Sequence, residues 1–134
     1  MKKLLILIFF CASVSKFLNA QCVVYTCDKT GAFGAGFNND NEPTSYQDCE
    51  DYAYKLCRDE GGTACTFMYK STKSGWWGFI SGHKSNGNLF FQGGDGYSSQ
   101  SEAEREVRKK YRDRGGYDAE NAEVVTWYCY SNLK

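Results

Sequence analysis

The chain has 134 residues with 16 basic and 16 acidic side chains, one histidine, 42% hydrophobic and 16% aromatic content. That length suits one small domain with a modest core. A balanced charge excludes a general nucleic-acid or anionic-membrane binder, since those need a basic footprint.

Lys2 and Lys3 precede an apolar run from Leu4 to Val14, and Ala20 is a small residue at a cleavage point before Gln21. This is the pattern of a secretory signal peptide over residues 1–20. Lys16 keeps the run short of the roughly 20 apolar residues that a spanning helix needs. Cleavage removes Lys2, Lys3, Lys16 and Cys11 and leaves 114 residues, 13 basic against 16 acidic, a net charge of −3. The expected product is a single secreted α+β domain over residues 21–134, extracellular or, in a Gram-negative cell, periplasmic, with no membrane attachment after cleavage.

Cys22 to Cys27 is a short β-rich run, D-K-T-G a turn, and A-F-G-A-G-F a second strand in which Gly34 and Gly36 suggest close backbone approach. Asn38 to Pro43 is a polar loop. Its Asn38, Asn39, Asp40, Asn41 and Glu42 match no calcium-loop spacing, so it reads as a turn-rich linker. Ser45 to Gly62 is an amphipathic helix: Ser45 is an N-cap, Asp48 stands three residues on, and Gly61-Gly62 supply the stop. Its apolar face is Tyr46, Cys49, Ala53, Leu56 and Cys57. A-C-T-F-M-Y-K is a third strand, and Ser71 to Gly75 a boundary.

The same order then returns. W-W-G-F-I-S is a strand, H-K-S-N-G-N a turn carrying the hairpin signal Asn86-Gly87, L-F-F-Q a strand and G-G-D-G-Y a flexible loop. Ser98 to Gly116 is a second helix, with Ala103, Val107 and Tyr111 facing inward. Glutamates crowd its start and basic residues its end, which suits the helix dipole and a solvated outer face. A polar connection from Tyr117 to Asn121 leads to the last strand, E-V-V-T-W-Y-C-Y. A shift of 54 residues lays Ser45 on Ser99, Ala53 on Val107 and Gly61-Gly62 on Gly115-Gly116. The expected fold is therefore two strand-strand-helix-strand repeats, about 22–70 and 76–130. They would form one antiparallel or mixed sheet with two helices packed on it, stapled by disulfides.

The secreted portion keeps six cysteines, an even count that reads as three bridges. The Gly61-Gly62 turn returns the chain so that Cys57 meets Cys65. In the second half Tyr111 and Val124 stand near the equivalent places, where an apolar contact replaces the bond. Cys27 with Cys49, and by elimination Cys22 with Cys129, complete one scheme among those that six cysteines allow. There is no Cys-x-x-Cys pair and only His83 as an imidazole, so no metal or other cofactor is expected.

The chemistry-bearing residues are few. His83 sits in a turn, and Asp95 among glycines that would let a ligand approach. No phosphate loop, dinucleotide fingerprint or EF-hand spacing is present, and no enzyme activity is expected. The aromatic excess is the unusual feature, and exposed aromatics mark protein or sugar recognition. Trp76, Trp77, Asp95 and Tyr97 are the candidate binding residues. Trp76 and Trp77 must point to opposite faces of their strand.

Tyr25, Thr30-Gly31, Gly34, Ser45, Ala53, Cys57 and Cys65 make a pattern of aromatic strand, T-G-x-x-G and Ser-led helix closed by a cysteine. Trp77-Gly78, Ser99, Ala103 and Val107 carry part of it again, with Tyr111 in place of the helix-closing cysteine. This resembles a family of secreted proteins, domain-of-unknown-function family 4189, for which no catalytic residue is implied. The expected function is recognition of an extracellular or periplasmic protein, as an inhibitor or an immunity-like factor. A carbohydrate or cell-wall binding module is the alternative, and a small secreted enzyme the third reading.

Overall fold

The computed structural model describes residues 22–38 and 45–130. Residues 1–21, 39–44 and 131–134 lie outside the described residues, and with them the expected signal peptide and most of the expected polar loop. The chain order is β1 (Cys22–Thr26), β2 (Phe33–Phe37), α1 (Tyr46–Asp59), β3 (Thr66–Ser71), β4 (Gly75–His83), β5 (Leu89–Tyr97), α2 (Gln100–Asp113) and β6 (Val125–Cys129). Strand, strand, helix, strand thus occurs twice in an α+β architecture.

The strands do not join in one sheet, which corrects the sequence expectation. They form two three-stranded antiparallel sheets, ordered β2-β1-β3 and β5-β4-β6. The reason is visible in β1, which is apolar on both faces. Alternate side chains point to opposite sides of a strand. Val23 packs on Cys49 and Ala53 of α1. Cys22 and Val24 instead join Ala35, Trp77, Phe79, Trp127 and Cys129 in the central core. A sheet apolar on both faces needs cover on both. Here the other sheet covers the inner face and a helix the outer one, giving layers of helix, sheet, sheet, helix.

Both helices begin and end by the same local chemistry. Ser45 Oγ accepts the Asp48 N–H at 3.1 Å, and Asp48 Oδ2 accepts the Ser45 N–H at 3.3 Å, a complete capping box. Ser99 Oγ accepts the Glu102 N–H at 3.1 Å, while Glu102 reaches back one residue further, to the Ser98 N–H at 2.7 Å. At the other ends the Gly62 N–H donates to Cys57 O and the Gly116 N–H to Tyr111 O. Gly61 and Gly115 precede them at φ of 96° and 87°. This paired arrangement closes a helix on a left-handed residue, where glycine meets no steric penalty.

Helix α1 lies against β2 at the two glycines read as close-approach positions. A Cβ on Gly34 would strike the Ala53 carbonyl, and one on Gly36 the Cys49 carbonyl. In α2, Ala103, Val107 and Tyr111 are all buried, with Val107 over Gly78 of β4. Tyr111 organises this pole. Its O–H donates to His83 O at 2.9 Å with Tyr117 O at 3.2 Å, and the His83 N–H donates back to it at 3.1 Å. Tyr111 and Val124 share one apolar cluster.

Two local expectations change. G-G-D-G-Y is no loop but the second half of β5, held in the ladder by Phe79↔Gly93 and Gly78↔Gly94 pairing. His83 ends β4 rather than sitting in the turn, which runs through Lys84 to Asn88 with Gly87 at φ 85°. Among the described residues no helix is long and apolar enough to cross a membrane.

Candidate functional site

Each sheet has a central strand and two edge strands, so the sandwich has two open sides. On one, β3 and β5 run past each other; on the other, β2 and β6. The sides differ in regularity. Between β1 and β3, Tyr69 faces Val24 and Phe67 faces Tyr25, so Met68 is an unpaired bulge. Between β4 and β5, Trp76 faces Tyr97 and Gly78 faces Gly94, so Asp95 and Gly96 share the space against Trp77. The ladders of β2 on β1 and β6 on β4 run without a shift. Bulges bend an edge strand and discourage a further strand from pairing on it. Thus the β3/β5 side is blunted and the β2/β6 side is not.

The β3/β5 side is also bridged. Tyr69 O–H donates to Asp95 Oδ2 at 2.8 Å, and Lys73 Nζ lies 3.8 Å from Asp95 Oδ1. Burial first, and then the Asp95 carboxylate, push the Tyr69 phenol up from its ordinary range. The β2/β6 side holds a groove of about 640 Å³, against about 360 Å³ on the β3/β5 side; ligand clefts usually span roughly 300–1,000 Å³. Phe33 and Phe37 of β2, Leu56 of α1, and Val125 and Trp127 of β6 make its apolar lining; Thr30, Glu60 and Thr126 add polar groups. Phe33 packs on Phe79 at 4.5 Å between ring centroids. The groove closes at one end, where the Tyr130 N–H donates to Asn38 O at 3.3 Å. Towards its other end Ser81 Oγ donates to Gly31 O, which fixes the β1–β2 turn against the second sheet.

The four residues singled out in the sequence do not form one site. Trp76 and Tyr97 are cross-strand partners on the helix-bearing face of their sheet. Trp77 and Asp95 are on the inner face. Trp77 is 1% exposed, stacked on Trp127 and packed on Tyr69, and presents no surface to a partner. Asp95 is tied to Tyr69, and the Tyr97 phenol oxygen accepts from Lys110 Nζ at 2.9 Å. Trp76 is half-buried, in a row with Tyr128 and Tyr130, and Tyr97 is half-buried as well. The groove residues were missed because alternation in A-F-G-A-G-F marks a two-faced strand but not an open edge.

His83 is exposed, its ring stacked on Tyr117 at 5.2 Å. Asp95 stands opposite Trp77, and the residues from Trp77 to His83 span about 20 Å of strand. These two groups are therefore too far apart to act together. Among the described residues no group of three or more His, Cys, Asp or Glu side chains could hold a metal ion.

The disulfide among the described residues is Cys57–Cys65, as expected. The structure does not bring Cys27 to Cys49. Cys49 lies over Gly36, the partner of Val23 near the start of β1, whereas Cys27 follows the other end of that strand. Cys22 and Cys129 share the inter-sheet core. Burial, and next the neighbouring Cys129, push the Cys22 thiol far up. No protein-family model matches this chain, and neither a curated protein nor a solved structure matches it.

Proposed function

We propose that this protein is a secreted, non-catalytic recognition domain that binds another protein by taking an extended segment of it into the groove between β2 and β6. One observation carries the reading: the two regular sheet edges flank the apolar groove, while both bulged edges are on the other side. An extended peptide adds to such an edge through main-chain hydrogen bonds, and alternate side chains then enter the pocket. The favoured segment is apolar at every second residue, to meet Phe33, Phe37 and Val125. The Cys57–Cys65 bridge suits an oxidising compartment.

A photo-crosslinking side chain at Val125, which is 38% exposed, tests this in native extracellular medium, with Met68 on the bulged edge as the control. The expected result is a crosslink to a partner segment from position 125 and none from 68. Crosslinks from 68 alone would move the site to the other side.

A sugar-binding reading has its own observation. Trp76, Tyr128 and Tyr130 form an aromatic row on the outer face of the second sheet, with ring centroids 5.6 and 4.6 Å apart. Such a row suits stacking against a glycan. It predicts a tryptophan fluorescence shift with soluble glycans that is lost in Trp76→Ala; a silent panel counts against it.

A further inference from the structure

Three cysteines pack together at the pole where β1 ends and α1 stops. Cys27 and Cys57 are fully buried and share one cluster with Ala32, and Cys65 packs against it. The same carbonyl serves two of them: Ala32 O accepts the Cys27 N–H at 2.8 Å and lies 3.8 Å from Cys57 Sγ. Cys27 Sγ lies 3.9 Å from Thr63 Oγ1, inside the loop that the Cys57–Cys65 bond closes. A free thiol thus belongs to the same packed cluster as a disulfide.

We propose that Cys27, Cys57 and Cys65 form a thiol–disulfide exchange site, in which Cys27 displaces Cys65 from Cys57 and leaves Cys65 open to modification by an external thiol reagent. The step balances within the chain. The Cys27 thiolate attacks Cys57 Sγ, the Cys27–Cys57 bond forms, the Cys57–Cys65 bond breaks, and its electron pair leaves on Cys65 Sγ. The proton lost by Cys27 is replaced on Cys65 through solvent, and no oxidant is needed. Two features favour this direction. Cys27 and Cys57 are the two buried members, whereas Cys65 is partly exposed. The Thr30 hydroxyl, followed by backbone N–H donors led by Ala64, pulls the Cys27 thiol down to about 6, which favours the attacking thiolate form.

The test is alkylation of the folded full chain with N-ethylmaleimide at neutral pH, followed by acid quench and peptide mapping without reduction. The expected product carries the label on Cys65 together with a Cys27–Cys57 linked peptide. Cys27→Ser should keep the Cys57–Cys65 link and slow Cys65 labelling by at least about tenfold, because the internal nucleophile is gone. An unlabelled Cys65 after prolonged incubation overturns the proposal, as does labelled Cys65 without the Cys27–Cys57 peptide. The mapping of the unsubstituted chain decides the matter even if Cys27→Ser does not fold.

Discussion

Phe37 of β2 stacks on Trp127 of β6, with ring centroids 5.7 Å apart and planes at 21°. Trp127 stacks in turn on Trp77 at the same spacing. This ladder runs from the groove into the core and joins the two sheets where their regular edges converge. Phe37→Ala should cost about 2 kcal/mol, below the roughly 3–5 kcal/mol of a fully buried aromatic truncation because Phe37 is only partly buried. Urea denaturation measures it; a change within a few tenths would mean that the stack contributes little.

Gly36 sets the distance between α1 and its sheet. Its Cβ position falls on the Cys49 carbonyl, which belongs to a hydrogen-bonded helix and has no rotamer to yield. Gly36→Ala should therefore push α1 outward and cost about 3 kcal/mol. Hydrogen exchange should show faster exchange in α1 than in α2. Unchanged α1 protection would contradict the close packing.

Tyr111 does for the second half what a bridge does for the first. Tyr111→Phe keeps the ring over Phe90, 5.4 Å between centroids, but strips the partner from the His83 N–H and the donor from His83 O. The expected loss is about 2 kcal/mol, read in the same urea titration. A neutral substitution would show that water replaces the hydroxyl without cost.

The start of α2 should be acid-sensitive through Glu102. The Ser98 hydroxyl first, then backbone N–H groups, hold its carboxyl below the ordinary range. A depressed carboxylate gives stability that is present above its ordinary value of 4.5 and lost as pH falls through the folded value. Amide exchange of the first turn of α2 should accelerate in that window. Glu102→Gln should remove the pH dependence; its persistence would assign the effect elsewhere.

The helices were legible because their signals are local. Ser45 with Asp48, Ser99 with Glu102 and the two Gly-Gly stops act within one turn, and the Cys57–Cys65 bridge follows from the first stop. The partition into two sheets was not legible. It depends on Cys22 and Val24 meeting Trp77 and Phe79 across the interior, which no spacing encodes. Asp95 shows the other limit. Glycines beside it read as a loop, yet those glycines pair in the ladder, and the irregularity they allow is a bulge. The groove depends on which strands are edges, so its residues emerged only with the topology. Whether the two halves also superpose residue by residue, 22–70 on 76–130, is a separate expectation. Their strand orders agree, but the glycines beneath the helices lie on β2 in one half and on β4 in the other.

The measurement that tests the recognition reading most directly is amide hydrogen exchange of the whole protein with and without a peptide selected for binding from a displayed random library. Selected peptides should be apolar at alternate positions. They should slow exchange in Phe33–Phe37 or Val125–Cys129, and a Leu56→Glu, Val125→Glu double variant that keeps its urea midpoint should lose that protection. Protection confined to Thr66–Ser71 or Leu89–Tyr97, or binding with no backbone protection of β2 or β6, would contradict strand addition in the groove.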